Sequence, residues 1–191
     1  KVADGNNKYD SRNNCNAIVV SSTNILIWGC KNTIIPNSVT SIGVDAFYNC
    51  YGLTSVTIPN SVTEIGRSAF SGCTNLTNLI LEDGEDAILG LSFPDSPLET
   101  VYLGRNSSGI FANGKTTLKK LTIGDKVTEI NYDAFSDCTG LTSVTIPNSV
   151  TSIRNRAFNG CTGLTELYIG NSVTSIGERA FNGCSGLTSV T

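Results

Sequence analysis

Residues 53–75 read LTSVTIPNSVTEIGRSAFSGCTN, and this unit returns with small changes along most of the chain. A six-residue stretch opened by leucine starts at Leu53, Leu76, Leu98, Leu118, Leu141, Leu164 and Leu187, at successive spacings of 23, 22, 20, 23, 23 and 23. An Ala-Phe pair recurs at Phe47, Phe70, Phe135, Phe158 and Phe181, and three residues after each comes Cys50, Cys73, Cys138, Cys161 or Cys184. A fixed period of this length is the signature of stacked repeats.

The irregular middle keeps the same register. Phe93 follows Leu76 by 17 residues, as Phe70 follows Leu53, and Phe111 falls 13 after Leu98 in a shortened turn. All seven Phe are therefore expected in one column, which is a packing rule and not a catalytic one.

Within each stretch the apolar residues alternate, as in Val56 and Ile58 or Leu121 and Ile123. That is the period of a half-buried strand. Pro or Gly then ends the strand, and Asn-Ser turns the chain. The phrase IPNSVTSI stands at residues 35–42 and 146–153, with variants at 58–65, 123–130 and 169–176. Its Val and Ile turn apolar groups back inside, so its polar residues read as a repeated corner. Ala-Phe and Cys close the far side as a short helical turn. One such unit cannot bury its own apolar face. Stacked at about 4.8 Å, the units bury Leu, Val, Ile, Phe and Cys as continuous columns. The expected fold is an α/β-type repeat solenoid, a right-handed superhelix with one parallel sheet and short strands or helical turns opposite.

In this form the unit of residues 53–75 closely resembles the BspA-like leucine-rich repeat, and the resemblance extends over residues 30–191. The sequence departs from commoner leucine-rich repeats at the ninth position, where Ser61 or Ser149 replaces Asn. The resemblance implies a secreted or surface-attached protein of the kind found in anaerobic bacteria, acting in adhesion and protein binding.

Residues 1–32 depart from the repeat, whereas residues 33–191 follow it, irregularly at 82–117. The whole is expected as one leucine-rich repeat domain. Residues 16–29, NAIVVSSTNILIWG, read as a β-hairpin turning on Ser22-Thr23, without the Gly that two-residue turns favour. Residues 1–6, KVADGN, look like a strand end and its exit, like residues 80–85. The chain has no Met and stops inside a strand at Thr191, so it is expected to be a segment of a longer array.

Composition narrows the chemistry. The net charge is −3, only 15% of residues are charged, and there is no basic stripe for nucleic acid or anionic membranes. No apolar run approaches the roughly 18 residues of a membrane span. There is no His, which removes Ser-His and Cys-His dyads and His-ligated metals. Glu99 and Glu166 fall three rungs apart, about 14 Å, beyond the range for paired glycosidase acids. The expectation is a non-enzymatic protein with no cofactor and no metal.

Several residues compete as sites. The Cys column reads as packing, because rungs about 4.8 Å apart hold the Cβ atoms too far apart for a disulfide. Cys15 and Cys30 face each other if the hairpin pairs sum to 45, so a cross-strand disulfide is possible there. LEDGED at residues 81–86 lacks the acid spacing of a calcium loop and reads as a solvated acidic loop. Arg105, Lys115, Lys119, Lys120 and Lys126 form either a patch for an acidic partner or, at Lys119 and Glu99, a simple ion pair. The sequons at Asn75 and Asn106 carry no meaning in a bacterial protein.

The outward positions of the sheet vary where the inner ones do not. The third residue of each strand runs Ser55, Asn78, Thr100, Lys120, Ser143, Glu166, and the fifth runs Thr57, Ile80, Tyr102, Thr122, Thr145, Tyr168. Tyr102, Lys120, Glu166 and Tyr168 are the candidate binding residues, because leucine-rich repeats bind on this face and Tyr offers rigid amphipathic area. The expected partner is a host extracellular-matrix or neighbouring-cell surface protein. The alternative is a structural spacer that holds another domain away from the cell.

Overall fold

The computed structural model of the chain describes residues 2–3, 5–108 and 116–191. Its elements are short strands: β1 (Tyr9–Asp10), β2 (Ile18–Val20), β3 (Ile25–Trp28), β4 (Ser41–Ile42), β5 (Ser55–Ile58), β6 (Glu64–Ile65), β7 (Asn78–Leu81) and β8 (Thr100–Leu103). They continue with β9 (Lys120–Ile123), β10 (Glu129–Ile130), β11 (Ser143–Ile146), β12 (Ser152–Ile153), β13 (Glu166–Ile169), β14 (Ser175–Ile176) and β15 (Ser189–Val190). The long strands pair in parallel, with Val56 beside Leu79, Leu79 beside Val101 and Val101 beside Leu121. This is the predicted solenoid. The Ser-Ile and Glu-Ile pairs of the recurring phrase form a second, interrupted row of parallel strands, in which β4 pairs with β6, and β10, β12 and β14 pair in order.

The inner positions of the strands are buried and the outer ones face solvent. The Phe rings stack rung on rung, Phe47 on Phe70 at 4.9 Å between centroids and Phe135 on Phe158 at 5.4 Å. Phe111 lies outside the described residues. The cysteines of this side also serve the stacking: Cys73 Sγ donates to the Phe47 carbonyl at 3.2 Å, Cys161 to Phe135 at 3.1 Å and Cys184 to Phe158 at 3.2 Å. Burial pushes the Cys73 thiol up to about 11, so it stays protonated and unreactive at neutral pH.

The turn that carries Ala-Phe is not helical, contrary to the expectation. Each of these Phe is bracketed by residues of positive φ: Asp45 and Asn49, Ser68 and Gly72, Asp133 and Asp137, Arg156 and Gly160, Arg179 and Gly183. A left-handed residue every fourth position breaks any helix before it closes a second turn. The N–H of Phe47 instead donates to Ala69 of the next rung at 2.8 Å, and Phe135 and Phe158 repeat this with Ala157 and Ala180.

The polar residues of the repeat bond along the stack. Thr165 Oγ1 donates to the Thr142 carbonyl, Thr174 to Thr151 and Thr188 to Thr165, at 3.0 to 3.2 Å. Ser61 Oγ donates to the Val39 carbonyl at 2.7 Å. These groups hold rungs together, and the recurring phrase is scaffold.

The broad sheet is not continuous. Its strands form one group, β5-β7-β8-β9, and a second, β11-β13-β15. Among the described residues no backbone hydrogen bond joins β9 to β11. The residue that follows the strand accounts for one of the missing bonds. Glu82, Gly104, Gly124 and Gly170 each donate their N–H to the last strand residue of the preceding rung, Ile58, Leu81, Leu103 and Ile146, at 2.8 to 3.1 Å. Pro59 and Pro147 follow β5 and β11 and have no N–H to give. Both strands that end in proline are the first strand of their group. Ser149, the counterpart of Ser61 in the Pro147 rung, has a buried hydroxyl without a partner.

In the irregular middle the second sheet is reduced to isolated bridges, Glu64 with Leu89 and Ile88 with Ser107. The rung of residues 76–97 has Glu85 where the rungs opened by Leu53, Leu118 and Leu141 carry the buried Val62, Val127 and Val150. Arg105 lies in that interval. It is fully buried, donates Nη1 to the Asn60 carbonyl at 2.9 Å and Nη2 to Pro59 at 2.8 Å, and packs its Cδ against Gly84. Its Nε has no partner. Desolvation lowers its pKa, while Asp86 and Glu82 work in the opposite direction. Arg105 therefore belongs to the core and not to the basic surface patch in which its charge had placed it.

The N-terminal segment extends the second sheet. β1 and β2 are antiparallel, β2 and β3 are antiparallel, and β3 joins β4 in parallel. The hairpin exists as predicted, but its turn has four residues, 21–24, between the paired Val20 and Ile25, with Asn24 at φ 57°. β1 is an addition to the expected pair of strands. Asp10 anchors it, accepting from Arg12 Nε at 2.8 Å and Ser21 Oγ at 2.7 Å. The hydrogen bonds from Arg12 hold the Asp10 carboxyl well below the usual carboxylate range.

The register of the hairpin bears on the expected Cys15–Cys30 pair. A bulge between Ile18 and Val19 shifts the pairing by one, so that Ile18 faces Trp28 and the strands beyond it are out of step. Cys15 and Cys30 are both free thiols. Cys30 Sγ donates to the Asn16 carbonyl at 3.3 Å, and the Cys15 carbonyl accepts from Ile34 at 3.0 Å.

Three outcomes follow. Unreduced protein titrated in denaturant gives seven thiols, not five. Arg105→Ala leaves two buried carbonyls unpaired and a hole, and lowers the unfolding free energy in urea by about 3 kcal/mol; Arg105→Met refills the space and loses about half of that. The stabilising interaction of Asp10 is complete above the unfolded carboxylate pKa of about 4 and is lost as pH falls below it. The thermal midpoint of the parent therefore drops on acidification below about pH 4, and Asp10→Asn flattens that part of the profile.

Candidate binding face

The outer side chains of β5, β7, β8 and β9 line a groove of about 400 Å3, bounded by Ser55, Asn78, Ile80, Thr100, Tyr102, Lys120 and Thr122. Alternation along each strand aims these residues outward while Leu79, Val101 and Leu121 point to the core. A second groove of about 320 Å3 runs along the parted strands, between Lys119, Lys120, Thr122 and Ile123 on one side and Ser143 and Thr145 on the other. The two meet at Lys120 and Thr122.

Of the four candidate residues, the structure brings two together. Tyr102 and Lys120 sit on neighbouring strands and line the same groove. Tyr102 is partly buried and its hydroxyl donates to Asp83 Oδ1 at 2.7 Å, a bond that raises its pKa. Glu166 and Tyr168 stand on β13, in the other strand group, exposed and outside both grooves. Ile80 is 40% exposed in the groove floor. Its position among the outward residues marked it as a variable one, but an aliphatic side chain carries no signature of a site. Ser143 and Thr145 were equally hidden, because their place in a groove depends on the parting of β9 from β11.

The surrounding charges are mutually occupied. Lys119 Nζ and Glu99 Oε2 lie 3.2 Å apart, which is the expected cross-strand pair, and Lys126 Nζ reaches Glu85 Oε1 at 2.6 Å. The acidic loop at 81–86 is tied down by these contacts and by Glu82, which accepts from the Asn60 N–H at 3.3 Å. Lys115 lies outside the described residues. Among the described residues no group of three or more His, Cys, Asp or Glu side chains is arranged to hold a metal ion. No helix among them is long and apolar enough to cross a membrane.

Comparison with known proteins agrees with this geometry. The BspA type leucine rich repeat region matches in six copies, over residues 28–138 and 106–191. A leucine-rich repeat protein from Bacteroides ovatus is 32% identical with a TM-score of 0.70, the match covering 84% of this chain and 42% of that one. A leucine rich cell surface protein from Faecalibacterium prausnitzii is 27% identical with a TM-score of 0.51, over 81% of this chain and 52% of that one. A T. pallidum leucine rich repeat protein is 26% identical with a TM-score of 0.60, over 99% and 91%. The chain thus spans about half or less of the length of the first two. No curated protein matches the sequence. On the repeat period, the stacked parallel strands and these matches together, the chain belongs to the BspA type leucine-rich repeat family.

Proposed function

We propose that the chain is a non-catalytic protein-binding and adhesion module of a secreted or cell-surface protein, and that the broad sheet face is its contact surface. The observation that carries this reading is the pair of contiguous grooves meeting at Lys120, formed by outward side chains that change from rung to rung over inner columns that do not. A face used only to space other domains has no need of such a groove. Tyr102 supplies a rigid ring held by Asp83, Ile80 an apolar floor and Lys120 a charge. Glu166 and Tyr168 extend the surface two rungs further, toward the partner's periphery. A surface location is supported by the cell-surface relative from F. prausnitzii. The partner is a protein of the extracellular matrix or of a neighbouring cell.

The test is attachment to a panel of purified extracellular-matrix proteins, measured by surface-immobilised binding. Replacing Tyr102, Lys120 and Tyr168 together by Ala abolishes attachment and leaves the circular dichroism spectrum and thermal midpoint close to those of the parent. Attachment unchanged by the triple substitution, or none by the parent, favours the spacer role.

A further inference from the structure

The chain carries 16 acidic and 13 basic residues, yet among the described residues no carboxylate lines either groove of the sheet face. Two acids stand at its edge and are engaged there, Glu99 with Lys119 and Asp83 with Tyr102. Lys120 lines both grooves, is exposed, and makes no ion pair among the described residues. An acidic protein thus presents an acid-free trough with one uncommitted ammonium at its centre. A carboxylate from a partner would meet that ammonium with no acid among the side chains that line the trough.

The floor beside Lys120 is unusual in a second way. Between β9 and β11 the strand edges carry no backbone partners. Leu121 and Ile123 are correspondingly less covered, at 9% and 8% exposure, than Val56 at 4% or Ile58 at 0%. From β5 to β11 the face is five strands wide, about 19 Å, which an extended chain crosses in roughly six residues. Ile80 and Tyr102 lie along that path and suit an apolar side chain.

We propose that this trough binds an extended acidic peptide segment of about six residues. A side-chain carboxylate pairs with Lys120, and an apolar residue lies over Ile80 and Tyr102. A nucleic acid is disfavoured, since one free lysine in the trough of a chain of net charge −3 cannot neutralise a run of phosphates. An acidic polysaccharide has no use for the exposed Ile80. This inference rests on the sheet-face binding proposed above and names the partner's chemistry.

The experiment is panning of a random dodecapeptide display library on the parent chain, followed by fluorescence anisotropy with the enriched synthetic peptides. The expected result is enrichment of sequences with two or more Asp or Glu beside an apolar residue. Their affinity should fall at least tenfold in Lys120→Glu and weaken as salt rises from 50 to 300 mM. Arg67→Glu makes the same charge change at an exposed turn away from the face, and should leave affinity within twofold. Peptides with Lys in place of Asp and Glu should recover binding to Lys120→Glu. Enriched peptides without acids, or peptides that bind Lys120→Glu as tightly as the parent, overturn the inference while leaving sheet-face protein binding intact. Polygalacturonate binding that depends on Lys120, with no peptide enriched, overturns it in favour of a polysaccharide. No peptide enriched and no matrix protein retained overturns both this inference and the binding reading.

Discussion

A rung of this protein cannot close around its own apolar side chains, and every other feature follows from that. The Leu, Val and Ile of a strand are covered by the equivalent residues of the rungs on either side, and the Phe ring of each turn by the next ring in the column. Stability is thereby shared between neighbours and not held within units. The polar groups obey the same constraint. Thr hydroxyls, Cys thiols and Phe N–H groups bond to the adjacent rung at a constant offset in sequence. A repeat so built must keep its inner residues fixed, which leaves variation to the outward positions and to the exits of the strands.

That division explains what could be read from the residues alone. The period, the strand positions, the Phe and Cys columns and the Glu99–Lys119 pair were legible because stacking copies one local rule many times. The exceptions failed where a residue's role came from a rung two turns away. Arg105 reads as a surface cation until the missing Val of the preceding rung is placed beside it. The hairpin was visible, but its four-residue turn and the bulge at Ile18 were not, and the bulge alone moves Cys15 out of line with Cys30. The left-handed residues that replace the expected helical turn include Arg156 and Arg179, which carry no preference for that conformation.

The candidate face divides in the same way. Tyr102 and Lys120 could be chosen from the outward columns, since the register places them on adjoining strands. The groove between β9 and β11 could not, although one contributor to it stands in the sequence as Pro147. The meaning of that proline is relational: it removes a donor only from the carbonyl of the rung before it.

Proline at the strand exit therefore has a consequence for the array as a whole. A sheet made of identical rungs would be one unbroken panel, rigid along its length. β5 and β11, the two long strands followed by proline, each open a strand group, like the first leaf of a folding screen. Proline at that single position withholds one bond from the rung before it, where Glu82 or Gly supplies one. Shape and binding surface can then change together without altering one residue of the core.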